Sequence, residues 1–539
     1  MGKGDTYKTI KLILGLIVLS SSLLFAKIPS LQEIDNMPKS ISKDYYIWRF
    51  ISEPSTTKEE AKEAYKQIKR ANYQLKKAIR KKLGYVPTTT KEPKAPRDPN
   101  NYIIYPEVAS KKSKKYLKNL YKKIKKRGQY SDVLKVMASN YPFKELSNVS
   151  PKTACYIFNR SKSKYRKRYF NHSLPIELLT ALANEKQFNQ MVFKTVTTHK
   201  LQKLKKSLLD TPITDALNFK TTFLLGINAI EFNKIDKAIE YIKKAKEKAT
   251  HQSEYDQSDF WLYLLTKKRE YLDNLLESPQ VNLYTLKARD IANMPYQEVI
   301  TPNLGFHLVR YFDPYNPIDW EKIKIDMKNH PETIEVQADN YKSYITEGVY
   351  TYLKEKASDY QEQYFPMPYF DAMFGKDKKR IALLYAIGRQ ESRFVPASVS
   401  PSFALGMMQI MPFLIRHLSK ERGENIDLDD MFNPYIAIDY ANQHLDYLNR
   451  FLYHPLFIAY AYNGGIGFTK RTIKSQHLFK RGKYEPYLSM ELIDYAESKE
   501  YGKKVLANYV IYLNLLGIPT KISTLLNSLD KPLETDKFR

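Results

Sequence analysis

The chain has 539 residues, 43% hydrophobic and 27% charged, which is enough apolar matter for large cores and too much chain for one ordinary domain. With 18 glycines against 43 tyrosines, a Gly-rich β architecture is disfavoured and a helical chain is expected. A net charge of +29 makes a surface that attracts polyanions such as nucleic acid, acidic lipid or acidic cell-wall polymer, although lysine-rich solvated faces account for part of it.

At the N-terminus Lys3, Lys8 and Lys11 precede "LILGLIVLSSSLLFA", an apolar run ending at Ala26. It is shorter than the ~20 residues that span a bilayer, so residues 1–26 read as a signal peptide cleaved near Ala26. The expectation is a periplasmic protein with no stable membrane anchor after cleavage and no nucleic acid as partner. Cys155, the lone cysteine, cannot form an intramolecular disulfide, so stability has to come from core burial.

From about residue 44 to 360 the pattern is helical segments joined by short loops. In "TTKEEAKEAYKQIKRANYQLKKAIRKKLGY", Thr56 and Glu59 fit a capping box and Gly84 sits where a C-terminal cap belongs. Between them Ala61, Ala64, Tyr65, Ile68, Leu75 and Ile79 recur near helical spacing. A linker with Pro87, Pro93, Pro96, Pro99 and Pro106 follows and reads as non-helical. "KKSKKYLKNLYKKIKKR" then sets Leu117, Leu120, Tyr121 and Ile124 on one stripe, and its lysines read as a solvated face. At 219–249 "FKTTFLLGINAIEFN" and "KIDKAIEYIKKAKEKA" form an antiparallel helix pair, with Ile235, Ala238, Ile239, Ile242 and Ala245 inward. Pairs of this kind stack into solenoids. At "YFPMPYFDAM" prolines and aromatics interrupt the lysine-rich helices, which places a domain boundary near residue 362.

Beyond it, "DKKRIALLYAIGRQE" is a helix whose apolar stripe Ile381, Leu384, Ile387 leads on to Glu391, the only acidic residue between Arg380 and Lys420. Burial and the negative end of the helix dipole both act to raise the pKa of such a carboxyl, as general-acid catalysis needs. Solvent exposure, or pairing with Arg389 or Arg393, is the equal alternative from spacing alone. Pro396, Ser398, Ser400 and Pro401 then mark an irregular stretch that can bring the Ser400 hydroxyl beside Glu391, with helix resuming near Met407. Gln409 supplies a neutral donor and acceptor, and Met408 and Met411 supply apolar walls. That combination suits a sugar better than an ion or phosphate.

Residues 380–515 resemble the catalytic domain of soluble lytic murein transglycosylases, which has a goose-type-lysozyme-like fold. The motifs are "RQES" around Glu391, "GMMQIMP" at 406–412, "AYNGG" at 461–465 and "ESKEYGKKVLANY" at 497–509. The expected architecture is mainly α: an α-superhelical solenoid over 27–362, matching the family's superhelical ring in helix content and order, then a lysozyme-like catalytic domain over 363–539. The resemblance implies that Glu391 is the single acid/base, that Ser400, Gln409 and Met411 line the cleft, and that Tyr462 and Asn463 contact the sugar. It also implies that Glu497 is a supporting carboxylate and that Tyr501 closes the cleft. Two departures stand out: Lys499 replaces the usual Arg, and Phe403–Leu405 replaces small residues, which is expected to narrow the groove on that side.

The activity implied is lytic cleavage of the β-1,4 bond between N-acetylmuramic acid and N-acetylglucosamine, leaving a 1,6-anhydromuramyl end. Ordinary glycosidases use two carboxylates. No second one lies near Glu391 in sequence, although Asp439, Asp446 or Glu497 can fold close. A hydrolytic muramidase and a non-catalytic peptidoglycan-binding helical scaffold are the alternative readings. Peptidoglycan glycan strands, and other cell-wall enzymes, are the partners implied. The 9 histidines show no metal-binding spacing and no Gly-rich phosphate loop is present, so neither metal nor cofactor is implied.

Overall fold

The computed structural model describes residues 28–87, 104–123 and 128–539. The signal peptide read at 1–26, the linker prolines Pro93, Pro96 and Pro99, and Ile124 lie outside the described residues. The fold is mainly α: helices follow one another along the chain, and the only β pairing among the described residues is in isolated bridges. The described residues fall into two compact units, one from Met1–Lys91 and Val299–Tyr447, the other from Glu92–Glu298 and Leu448–Arg539.

In the second unit, helices Phe219–Glu231, Ile235–Glu247, Gln252–Thr266, Arg269–Glu277 and Leu283–Ala292 each pack on the next, as the repeats of a solenoid do. The pair expected at 219–249 forms, with Asn233 taking a left-handed φ of 55° at its joint. Gly226 allows the two helices to meet, because a Cβ there would lie 2.6 Å from Ile242 Cγ1. Ala238, Ile242 and Ala245 are buried while Ile235 and Ile239 are half-buried, so the inward face is narrower than the spacing implied. Helix Lys114–Lys123 buries Leu117 and Leu120 and exposes most of its lysines. Pro106, expected in a non-helical linker, opens the short helix Pro106–Ala109, where its missing N–H costs nothing. Cys155 is buried, and burial pushes its thiol up to about 12.

In the first unit the stretch from Thr56 to Gly84 is two helices, Lys58–Lys66 and Tyr73–Leu83, rather than one. The capping box is Thr57 with Glu60, one residue later than the sequence pattern suggested, because the Thr56 hydroxyl donates to the Phe50 carbonyl at 2.6 Å instead. The break has a physical cause. The buried Asp44 carboxylate accepts the backbone amides of Lys69 and Arg70 at 2.6 and 2.8 Å, withdrawing them from any helix, and Asn72 then caps a new start. Gly84 closes it with φ 85°. All six apolar residues of the expected stripe are buried.

Helix Glu347–Ala357 belongs to the same unit and packs into a core with Trp320, Ile323, Val349, Leu353, Val395 and Ala397. In its first turn Glu347 is buried, and burial raises its carboxyl to about 7 although the Met367 amide pulls the other way. A folded pKa above the unfolded value means stability that is present at acid pH and lost as pH rises through about 7. Thermal unfolding across a pH series is therefore expected to show the wild type losing up to roughly 3 kcal/mol relative to Glu347→Gln between acid pH and pH 8. Parallel profiles for the two proteins would refute the assignment.

Candidate functional site

Helix Lys378–Ser392 starts at Asp377, whose carboxylate accepts the amides of Lys379 and Arg380 at 2.9 and 3.0 Å. Its apolar residues Ile381, Leu384 and Ile387 are buried, and Glu391 stands half-buried one residue from its end. The chain then turns sharply, with Arg393 and Phe394 both left-handed at φ 57° and 64°. Two glycines make room for this reversal. A Cβ on Gly388 would lie 2.9 Å from the Phe394 ring, and one on Gly348 would lie 2.3 Å from the Phe394 carbonyl oxygen. Val395 and Ala397 then anchor the loop in the core.

The arginines that flank Glu391 are held by Glu355 of helix Glu347–Ala357. Arg389 Nη2 donates to Glu355 Oε1 at 2.6 Å, its Nε donates to the Tyr364 carbonyl at 2.8 Å, and its guanidinium lies 3.9 Å from the Phe365 ring centroid. Arg393 Nη1 reaches Glu355 Oε2 at 3.1 Å. Glu355 thus secures the backbone on either side of Glu391 from 34 residues away, beyond what a local motif can register.

The segment after Glu391 is a compact set of turns. Helix resumes at Pro412, with Met411 as its N-cap, and not near Met407 as the sequence suggested. Gly406 and Gln409 are left-handed, at φ 73° and 49°, and Leu405 and Ile410 exchange backbone hydrogen bonds at 3.0 Å, a geometry no helix can contain. Ser392 Oγ donates to the Met407 carbonyl at 2.8 Å, tying these turns to the residue after Glu391. Met408 is fully buried core, whereas Met411 is half-buried. Gln409 Nε2 donates to the carbonyls of Ser398 and Gly406 at 3.1 and 2.7 Å, so its amide offers a ligand the acceptor oxygen and not the donor expected alongside it. The Ser400 Oγ accepts the amides of Ser402 and Ala404 at 3.3 and 2.9 Å. Its hydroxyl proton remains available to a carboxylate. Of the three other carboxylates read as able to fold close, Asp439 and Asp446 pair with Arg422 at 2.5 Å and Arg380 at 2.8 Å, and Glu497 accepts from Asn463.

Tyr462, Asn463, Glu497 and Tyr501 belong to the other unit. Helix Pro455–Gly464 packs on helix Ala496–Leu515, and a Cβ on Gly502 would lie 2.1 Å from the Tyr460 ring. Ser498 Oγ donates to Asn463 Oδ1 at 2.6 Å, and Asn463 Nδ2 donates to Glu497 Oε1 at 3.2 Å. Gly464 permits that approach, since a Cβ would lie 2.5 Å from Ser498 Oγ. The motif "AYNGG" is therefore a helix end, as its glycines suggest, with its Asn locked to the Glu497 motif. Tyr462 and Asn463 are half-buried, Glu497 is exposed and Tyr501 is buried. Lys499 turns its ammonium to Glu491 at 3.5 Å. Glu491 also receives Gln257 Nε2 at 2.9 Å, the Tyr284 hydroxyl at 2.6 Å and Lys503 Nζ at 3.2 Å. Ser498, Gly502 and Glu491 carried no sequence signal of these roles.

Among the described residues no group of three or more His, Cys, Asp or Glu is placed to hold a metal ion, and no helix is long and apolar enough to cross a membrane.

Residues 368–484 match the transglycosylase SLT domain. The soluble lytic murein transglycosylase of Salmonella typhimurium is 30% identical over 173 residues, 30% of this chain and 25% of that protein. That of Escherichia coli K12 is 30% identical over 175 residues, with the same shares. The chain thus spans about a quarter of the length of these relatives. Among solved structures it is similar to an inactive mutant of the lytic transglycosylase Slt from Pseudomonas aeruginosa, with TM-score 0.47 and 16% identity over 90% of this chain and 77% of that one. The 70-kDa soluble lytic transglycosylase of Escherichia coli follows with TM-score 0.43 and 18% identity over 93% and 84%. The stretch that matches the transglycosylase SLT domain, residues 368–484, holds both Glu391 and the Gln409 turn.

Proposed function

We propose that this chain is a lytic transglycosylase that cleaves the β-1,4 bond between N-acetylmuramic acid and N-acetylglucosamine in peptidoglycan and leaves a 1,6-anhydromuramyl end. The observation that carries the reading is Glu391, half-buried at the end of an apolar helix and tied through Ser392 to the turns bearing Ser400 and Gln409, all within the family match.

Glu391 acts twice. Protonated, it gives its proton to the bridging oxygen as the bond to the muramyl C1 breaks through an oxocarbenium-like transition state. As the carboxylate it then takes the proton of the muramyl C6 hydroxyl, whose oxygen closes onto C1. One proton is lent and returned, one C–O bond is exchanged for another, and no water is consumed. Ser400 steadies the anionic stage with its unspent hydroxyl proton. Gln409 accepts a hydrogen bond from the sugar through its amide oxygen, and Met411 supplies an apolar wall. Tyr462 and Asn463 contact the sugar, with Asn463 oriented by Ser498 and Glu497, and Tyr501 closes the cleft. The pairing of Asp439 and Asp446 with arginines supports a single working carboxylate.

In this reading residues 1–26 direct export to the periplasm, 27–362 form the superhelical domain and 363–539 the catalytic domain. Glycan strands are the substrate, and other cell-wall enzymes are partners. Mass spectrometry of digested sacculi tests the reaction. Muropeptides ending in 1,6-anhydro-N-acetylmuramic acid are expected. Reducing ends would convert the assignment to a hydrolytic muramidase, and binding without release of soluble fragments would convert it to a scaffold.

A further inference from the structure

Phe403 replaces one of the family's small residues three positions after Ser400. Expected to narrow the groove, its side chain instead turns inward and is 1% exposed. Its backbone is left-handed at φ 65°, uncommon for a bulky residue, and its surroundings enclose the ring. Those surroundings are the first helices of the described chain. The Phe403 ring stacks on Trp48 at 5.4 Å and 28°, and Tyr45 meets its edge at 5.8 Å.

Helix Ile41–Ser52, which carries both rings, is fastened to the same region. Arg49 forks onto Asp427 through Nη1 and Nη2 at 2.6 Å each and reaches Asp429 at 2.6 Å, and the Tyr45 hydroxyl donates to Asp429 at 2.5 Å. Asn72, capping helix Tyr73–Leu83, donates through Nδ2 to the Pro401 carbonyl at 3.0 Å across 329 residues of sequence. Both grips fall on one turn. Phe403 N donates to the Ser400 carbonyl at 2.8 Å, Ser400 N donates to the Ala404 carbonyl at 3.0 Å, and the Ala404 amide donates to Ser400 Oγ at 2.9 Å. Phe403 and the Ser400 hydroxyl thus share one hydrogen-bonded turn.

We propose that Trp48 and Phe403 are positioning residues that hold the Ser400 turn in the geometry Glu391 uses, so that helix Ile41–Ser52 is a working part of the active site. This rests on the transglycosylase reading. The pair touches no sugar. It holds the left-handed Phe403 in place, and with it the hydroxyl that orients the acid.

The test uses the full chain with Trp48→Ala, Trp48→Phe and Asn72→Ala, each measured for kcat and KM on sacculi and for hydrogen exchange of the 398–406 amides. Trp48→Ala is expected to lower kcat about ten- to hundredfold with KM within about twofold, and to speed exchange in 398–406 selectively. Trp48→Phe is expected to recover most of both losses, and Asn72→Ala to show the same pattern more weakly. If Trp48→Ala does not fold, Asn72→Ala decides the matter through the same two readouts. Unchanged exchange in 398–406, or a kcat within about twofold of wild type beside faster exchange, would overturn the proposal. The Glu391→Gln protein separates the two ideas. If it retained activity the transglycosylase mechanism would fail, whereas the exchange of 398–406 reports on the clamp by itself.

Discussion

Glu391→Gln is expected to abolish turnover of sacculi, by on the order of 10³-fold or more, while folding and binding to sacculi persist. The amide keeps the length and shape of the carboxyl and places no charge in a half-buried position, so the helix end and its turns have no reason to move. What it loses is the transferable proton and the anion that reclaims one. The same group serves both halves of the proposed cycle, so one substitution removes both. Release of anhydromuropeptides by the purified variant, followed by mass spectrometry beside a sacculus pull-down, measures both properties. Activity above about a tenth of wild type would sink the assignment of Glu391, and loss of folding would place its role in structure instead.

Glu491→Ala carries the largest expected cost in stability, about 3–5 kcal/mol, because it removes the buried counter-ion of Lys503 and Lys499 and leaves them only the half-exposed Glu500. Burial alone would raise the Glu491 carboxyl, yet Lys503 and Lys499, together with the hydrogen bonds from Tyr284 and Gln257, hold it below the usual carboxylate range. A folded pKa depressed in this way gives stability that is present above the unfolded value and lost as pH falls. The difference between wild type and Glu491→Ala is therefore expected to narrow on acidification. Denaturant unfolding of the single variants and of the Glu491→Leu/Lys503→Met pair checks the reasoning. The pair is expected to recover part of the loss, since Lys503 is then no longer stranded and Lys499 keeps Glu500 at 3.7 Å. A single-variant cost under about 1 kcal/mol would show that water or relaxation satisfies the lysines.

How far the sequence could be read follows the range of the forces involved. The helix over 378–392 and its buried stripe leading to Glu391 were legible because such local signals act within a few residues. The helix pair at 219–249 and the cap at Gly84 were legible for the same reason. The helix boundaries that moved did so where a competing hydrogen bond took the backbone amides. Asp44 withdraws the amides of Lys69 and Arg70 from the helix read across them. The Leu405–Ile410 pairing displaces the helix expected near Met407. Glu391, Ser400, Gln409 and Asn463 could be named as candidates from their motifs, but Glu355 and Ser498 could not. Glu355 meets Arg389 from 34 residues away, and Ser498 meets Asn463 from 35.

By itself the sequence determined which residues have the chemistry: one isolated carboxylate ending an apolar helix, a turn rich in small polar residues after it, and motifs in family order. It also determined a mainly helical chain, because helical periodicity is local and repeats at every turn. The tertiary structure alone decided how those residues are held. It turned Phe403 inward beneath Trp48, spent the Gln409 donors on backbone carbonyls and gave the arginines beside Glu391 to Glu355. These choices depend on which side chains meet after folding, and burial makes each pairing obligatory, because a charge or donor left unpaired away from water costs more than any local preference can return.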